Sequence, residues 1–391
     1  MDIETFLSYK IYSELLNSNS LILDFYSIKH GKPWPRKPYN DVESGPGFDC
    51  VPYVEGKYNT KLFVPDYPFP EYLCKLEYSD WLEVQNKKIF LNHSYEPVDF
   101  ENDKFHWNPK VMNPKDLFCN VDKDTNDKVF LLHSEKNSKD VELVVQNVSP
   151  SVSMSHIHWF ANGHVCVEYW YKNFGIDMFA DWRRPIKHKY VCMARQFNAA
   201  KKYRLEFLNL IDTTNGCYSL LERCLETGMT PNDVLPSNTV SPYSFDDHGN
   251  DSAYIEMRFE TPVNTSFLHV VMESMFDCTK QYFTEKIFKP IVLQQPFVLV
   301  GPAHNLEYLR SYGFKTFDQW WDESYDTIED PQERLHACAK IVNDIAGMDT
   351  ADLYELREKM SSVLEHNRRH FYTQFGNIVW EELRSNLSAV L

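Results

Sequence analysis

Residues 267–326 read FLHVVMESMFDCTKQYFTEKIFKPIVLQQPFVLVGPAHNLEYLRSYGFKTFDQWWDESYD, and their order decides the fold. An apolar run ends in an acid, Glu273. A polar loop follows, and Thr284-Glu285-Lys286 then opens a segment with helical apolar spacing. Next comes the β-rich run Pro296-Phe297-Val298-Leu299-Val300, which stops at Gly301-Pro302. Strand, loop, helix, strand and turn in that order are the grammar of a parallel α/β unit. Carboxylates and a lysine stand at the loop-to-helix junction, where such sheets bind ligands.

Upstream, the same rhythm starts at residues 128–133, a short buried-type strand that ends in His133-Ser134-Glu135. Residues 141–148 read as helix or strand edge. His156-Ile157-His158-Trp159-Phe160 is strand-like and ends at Ala161-Asn162-Gly163-His164. Residues 165–182 are aromatic and helical in part, and the basic stretch 183–189 reads as an inter-domain connection. A strand at 189–194 leads to a helix at 199–211, where Tyr203, Phe207 and Leu210 share a face. Residues 217–225 are a short strand or helix, and 228–252 form a long loop. Asp330-Pro331 starts a helix through Ile345, with proline suited to the first turn. Helical segments at 351–371 and 378–391 close the chain. Residues 1–125 are rich in proline and aromatics, which argues against long helices and for short strands and ordered loops.

A chain of 391 residues exceeds one ordinary core, so two domains are expected. The boundaries read as 1–186 for a first domain, 187–350 for a second, and 351–391 for the closing helices. The net charge of −16 repels polyanions. A partner such as DNA would need a local basic patch, for which Arg183, Arg184, Lys187, Lys189, Arg195, Lys201, Lys202 and Arg204 are the candidates. A solvated charged face is the plainer reading of the outer ones. Nine cysteines without a CxxC point to reduced thiols. The N-terminus lacks a signal-peptide pattern, and no apolar run reaches the roughly 20 residues that span a bilayer. A soluble, cytoplasmic protein is expected, with no membrane partner.

The central constellation is Glu273, Thr284, Glu285 and Lys286, with Arg204 upstream. A nucleoside diphosphate needs cations for its phosphates and carboxylates for its ribose hydroxyls. Arg204 and Lys286 suit the first task, Glu273 and Glu285 the second. Backbone N–H groups near Thr284 add an anion site. The same triplet also suits a plain helix first turn with an acid at the dipole. His156 and His158 alternate along a strand and so point the same way. With no carboxylate or cysteine at matching spacing, a metal is not expected there. Trp320-Trp321 reads as packing under the last helices.

Tyr282-Phe283-Thr284-Glu285-Lys286, preceded by the apolar run into Glu273 and followed by Pro296 to Pro302, resembles the donor-binding motif of α1,3-fucosyltransferases. The longer block resembles fucosyltransferase-like proteins of phages and large DNA viruses. It includes Tyr203-Arg204-Leu205, Leu306-Glu307-Tyr308-Leu309-Arg310 and Gly313-Phe314-Lys315-Thr316-Phe317. Met272 and Ser274 depart from the family's Phe-Glu-Asn, which leaves the donor open between UDP- and GDP-linked sugars. The resemblance implies an α/β fold of the GT-B type: two Rossmann-like domains facing a cleft, with C-terminal helices bracing the N-terminal domain. It implies a glycosyltransferase that moves a sugar from a nucleotide-sugar to an acceptor hydroxyl by inverting displacement, without a metal. Glu135 resembles the family's acid-bearing strand end and is the candidate base. His133, His158, Asn162 and His164 are the acceptor-side candidates. The acceptor would be a hydroxymethylated base of phage DNA, in the host cytoplasm, or otherwise a glycan or a protein. The reading from a different class is a catalytically silent nucleotide- or sugar-binding protein.

Overall fold

The structure, a computed structural model, describes Ile11, Glu14 and residues 20–24, 88–94, 128–148, 153–172, 183–194, 201–220 and 262–391. The expected loop at 228–252 lies outside these residues, as does Arg195. Two four-stranded sheets organise the described chain. The first holds β1 (Ser20–Asp24), β2 (Lys88–His93), β3 (Lys128–His133) and β4 (Ser153–His158), in that order and all parallel. The helix α1 (Lys139–Val148) connects β3 to β4, so the ambiguous stretch at 141–148 is helix. A parallel pair needs such a crossover. The strand expected at 156–160 begins earlier and ends at His158. Trp159 and Phe160, which read as strand, instead lead into the short helix α2 (Ala161–Val165) and a π-helix, Cys166–Trp170.

The second sheet is built from β5 (His188–Ala194), β6 (Cys217–Leu220), β7 (Ser266–Met272) and β8 (Phe297–Val300). Its strands run parallel in the order β6-β5-β7-β8. Every residue of β7 and β8 is buried, as expected of strands covered on both faces. Helix α3 (Tyr203–Leu210) joins β5 to β6, and the short α4 (Pro262–Thr265) precedes β7. A 3-10 turn (Glu285–Ile287) and α5 (Phe288–Val292) link β7 to β8. The expected strand–loop–helix–strand unit is therefore present and parallel.

After β8 come α6 (Asn305–Ser311), α7 (Pro331–Ala346) and α8 (Thr350–His370). A second π-helix (Phe371–Phe375) leads into α9 (Gly376–Ser388). The Asp330 carboxylate accepts hydrogen bonds from the N–H groups of Gln332 and Glu333 at 2.9 and 2.8 Å and caps α7, with Pro331 in its first turn. Phe288 packs in an aromatic cluster with Phe314, Phe371 and Phe375 at ring separations of 5.3 to 6.0 Å.

The chain divides into two compact units, Met1–Ala161 with Val379–Leu391, and Asn162–Ile378. The division falls before the basic stretch rather than within it. Asn162 donates to the Tyr282 hydroxyl and the Phe283 carbonyl at 2.7 and 2.8 Å, and these bonds hold the segment from 162 onward in the second unit. Helix α8 belongs to that unit too, since Arg357 donates to the Arg184 carbonyl at 2.7 Å. Only the end of the chain joins the first unit. There Asn386 donates to the His158 carbonyl at 2.7 Å, and the Lys88 ammonium reaches the Val390 carbonyl at 2.5 Å.

Candidate functional site

In the second sheet, β6 and β7 flank β5 on opposite sides, so the connections leaving β5 and β6 run in opposite directions. Open parallel sheets bind ligands outside the carboxyl ends of the strands at such a switch point. The carboxyl end of β7 is Met272, and the next residue is Glu273. The quoted constellation thus stands where the topology places a ligand.

Arg204, Glu273, Thr284, Glu285 and Lys286 come together there, in two layers. The inner layer is buried: Glu273 is 1% exposed, Arg204 3% and Thr284 7%. The Glu273 carboxylate accepts from the Thr284 hydroxyl at 2.6 Å and from the Thr284 N–H at 3.2 Å. It also accepts from the Ser274 N–H at 3.3 Å. Arg204 donates to the Glu273 backbone carbonyl at 3.1 Å, and the Tyr203 hydroxyl donates to the same oxygen. Glu273 is therefore a latch that ties the turn to the strand end, and Arg204 supports the strand end itself. Burial pushes the Glu273 carboxyl above the usual range, against the pull of Lys286 and the Thr284 hydroxyl. Gly301 closes the inner layer. A Cβ there would lie 3.0 Å from the Asn305 amide nitrogen and 3.6 Å from Glu273 Cγ.

The outer layer is the pair Glu285 and Lys286, whose side chains are 32% and 31% exposed. Lys286 Nζ lies 2.9 Å from Glu285 Oε1, 3.1 Å from Thr284 Oγ1 and 3.5 Å from Ser274 Oγ. Burial alone would raise the Glu285 carboxyl, yet the adjoining Lys286 ammonium outweighs it and holds the group below its ordinary value. For Lys286, burial pulls down, but Glu285 and Glu273 together hold the ammonium above its ordinary value. Both groups are ionised at neutral pH. The Cys166 thiol nearby is pushed well up by burial and then by Glu285 and Glu273, so it is an uncharged thiol there. A turn presenting one carboxylate and one ammonium can meet hydroxyls and phosphate oxygens at once.

The remaining candidates separate. Glu135, His133 and His158 lie in the first unit, whereas Asn162 and His164 lie in the second. Glu135 follows β3, is 1% exposed and accepts from the Ser138 hydroxyl. The Ser138 oxygen in turn accepts from the Val141 N–H at 3.3 Å, at the start of α1. The Glu135 N–H donates to His133 Nδ1 at 3.3 Å. His133 Nε2 lies 3.0 Å from His156 Nδ1, and His158 Nδ1 lies 3.3 Å from Glu382 Oε1. A neutral His133 whose Nδ1 accepts must carry its proton on Nε2 and donate it to His156. These histidines are tied to neighbouring side chains, in line with a structural role. Among the described residues, no group of three or more His, Cys, Asp or Glu could hold a metal ion.

The basic stretch does not form a continuous basic face among the described residues. Arg184 donates to Asn264 Oδ1 at 3.2 Å and to the Leu293 carbonyl. Lys189 Nζ reaches the Met348 carbonyl at 2.6 Å, and Arg204 is buried. Arg183, Lys187 and Lys202 are exposed, with Lys202 paired to Glu206 at 2.9 Å. No helix among the described residues is long and apolar enough to cross a membrane. Tyr171, whose hydroxyl donates to the Glu285 carbonyl at 3.2 Å, gave no sequence signal. It lies far along the chain from the turn it touches and belongs to no motif.

The sequence matches no family model and no curated protein, so the fucosyltransferase resemblance rests on its motif alone. Among solved structures, the fold is similar to a DNA-modifying β-glucosyltransferase determined with and without uridine diphosphoglucose. That similarity has 7% identity over 76% of this chain and 75% of that one, with a TM-score of 0.39. A T4 phage structure in complex with its UDP-glucose substrate is similar at 9% identity over 79% and 77% of the two chains, also at 0.39. At such identity and TM-score, neither likeness carries function to this chain.

Proposed function

We propose that the protein is a nucleotide-sugar-dependent glycosyltransferase of the GT-B type. One observation carries this reading: Glu285 and Lys286 stand half-open on a turn fixed at the switch-point edge of a parallel sheet. Lys286 would bind the diphosphate, and Glu285 the ribose or sugar hydroxyls. Glu273, Thr284 and Arg204 would act beneath them as the support of the turn. In the reaction, the acceptor oxygen forms a bond to the anomeric carbon as the bond from that carbon to the phosphate oxygen breaks. The acceptor proton passes to a carboxylate, for which Glu135 is the candidate. The nucleoside diphosphate leaves with both bonding electrons, and Lys286 stabilises its charge. Because Arg184, Lys189 and Arg204 are committed to internal partners, a glycan acceptor is favoured over a base in duplex DNA.

One observation favours the second reading, a nucleotide- or sugar-binding protein without transferase activity. Glu135 is 1% exposed, which closes it to an acceptor in this conformation.

A thermal-shift panel with UDP, GDP and their sugars tests the donor site. A nucleotide at 100 times its Kd stabilises the native protein by about 2.7 kcal/mol. Lys286→Ala should abolish most of that shift at the same concentration. If no nucleotide shifts the wild type, the transferase and binding readings both fall. A shift without hydrolysis or transfer of the sugar selects the second.

A further inference from the structure

We infer that Asn162 is a positioning residue for the donor turn and not a contact for the acceptor. The inference rests on the donor-site reading, and it concerns how the turn is held. Three consecutive residues, 283 to 285, are each pinned. Thr284 is held by the Glu273 carboxylate through its N–H and hydroxyl. The carbonyls on either side of it are held by one segment that lies more than a hundred residues earlier in the chain. Asn162 Nδ2 donates to the Phe283 carbonyl at 2.8 Å and to the Tyr282 hydroxyl at 2.7 Å. The Tyr171 hydroxyl donates to the Glu285 carbonyl at 3.2 Å. Asn162 is 6% exposed, so its amide is committed inward.

An amide is suited to this task. Both hydrogens of one NH₂ group point to acceptors, and no other short side chain offers two neutral donors from one atom. Buried, each bond lost would take from the Phe283 carbonyl or the Tyr282 hydroxyl the donor that Asn162 supplies. The same segment is anchored from behind, because the Tyr372 hydroxyl donates to the Tyr171 carbonyl at 3.3 Å. With the backbone fixed from both sides, Glu285 and Lys286 are the only members of the five-residue donor set left to meet a ligand through half-exposed side chains. Losing Asn162 would let Phe283 move and carry the Lys286 ammonium off its line.

The test measures binding of UDP and GDP by calorimetry without any acceptor, for the wild type and for Asn162→Ala, Tyr171→Phe and Tyr282→Phe. Asn162→Ala should raise the Kd of whichever nucleotide binds by roughly tenfold, the loss of a buried hydrogen-bond pair. Tyr171→Phe should raise it by about threefold, and Tyr282→Phe by less, since the bond from Asn162 to Phe283 persists. An acceptor contact would instead leave acceptor-free nucleotide binding unchanged and raise only the acceptor KM, which would overturn the inference. Amide hydrogen exchange on the nucleotide-free protein separates this from the donor reading. If neither nucleotide binds the wild type, the donor reading fails. Faster exchange confined to residues 284–286 in Asn162→Ala still supports positioning, and unchanged exchange there refutes it. Should Asn162→Ala fail to fold, Asn162→Ser, which keeps at most one of the two donors, decides by the same two measurements.

Discussion

The carboxyl edges of the two sheets are built from similar residues and differ in what those residues face. At the end of β3, Glu135, Ser134, Ser138 and His133 are buried and hydrogen-bond to one another or to nearby backbone. At the end of β7, the buried residues form a base, and on it Glu285 and Lys286 are held with about a third of each side chain exposed. Strand order accompanies the difference. The first sheet runs β1-β2-β3-β4 without reversal among its described strands, whereas the second reverses at β5. A reversal makes neighbouring connections diverge and leaves room for a ligand between them. Similar side chains thus form a closed network on one edge and leave a carboxylate and an ammonium partly exposed on the other.

Glu135→Gln tests this contrast with the largest effect. The glutamine keeps an oxygen for the Ser138 hydroxyl but cannot take a proton. If the first edge supplies the base, transfer should fall by 10²–10⁴-fold while nucleotide affinity in the second unit stays within twofold. Single-turnover assays beside calorimetry read both numbers. Full turnover in the variant would reduce the first edge to a structural network.

Gly216→Ala asks whether the two units hold together as one. A Cβ at Gly216 would fall 2.1 Å from the Tyr190 ring, and that ring is fully buried with its hydroxyl on the Asp212 carbonyl at 2.6 Å. The ring must shift, at about 1–3 kcal/mol. Exchange protection should fall along β5–β8 and persist along β3 and β4. Loss of protection in both sheets together would make the two units one cooperative body.

This contrast was only partly legible in the sequence. The second edge was readable because its parts lie within one run: Glu273, Thr284, Glu285 and Lys286 are close in sequence, and local spacing reports local geometry. The cap Asp330-Pro331 was readable for the same reason. The layering was not. Tertiary packing buries Arg204 and Glu273 beneath Glu285 and Lys286, and burial does not show in residue type. Asn162 sat beside a strand end that read as acceptor-side, while its amide bonds reach residues 282 and 283. Within the basic stretch, residue type does not tell Arg184 and Lys189, which reach backbone carbonyls of distant segments, from the exposed Arg183 and Lys187.

The smallest expected effect concerns histidine. In the first sheet, His156 is exposed, His158 pairs with Glu382, and His133 is 3% exposed with Nε2 3.0 Å from His156 Nδ1. In the second, His269 lies within β7, 3% exposed, with Nδ1 3.4 Å from Gln295 Oε1. Burial, reinforced by the Lys289 ammonium, pushes its pKa down to about 3. An unfolded histidine titrates near 6.5. Between those values the unfolded chain binds the extra proton and the folded chain does not, so stability is full above pH 6.5 and falls as the pH drops toward 3. At pH 5.5 the loss from this one group is roughly 1.4 kcal/mol. His269→Gln keeps a polar side chain and removes the titration. Urea unfolding of the wild type and the variant at pH 7.5 and 5.5 isolates the difference from every carboxylate the two share. The stability gap between them should shift in the variant's favour by that amount on acidification. An unchanged gap would mean that His269 is protonated within the fold, and that β7 is less sealed than its burial implies.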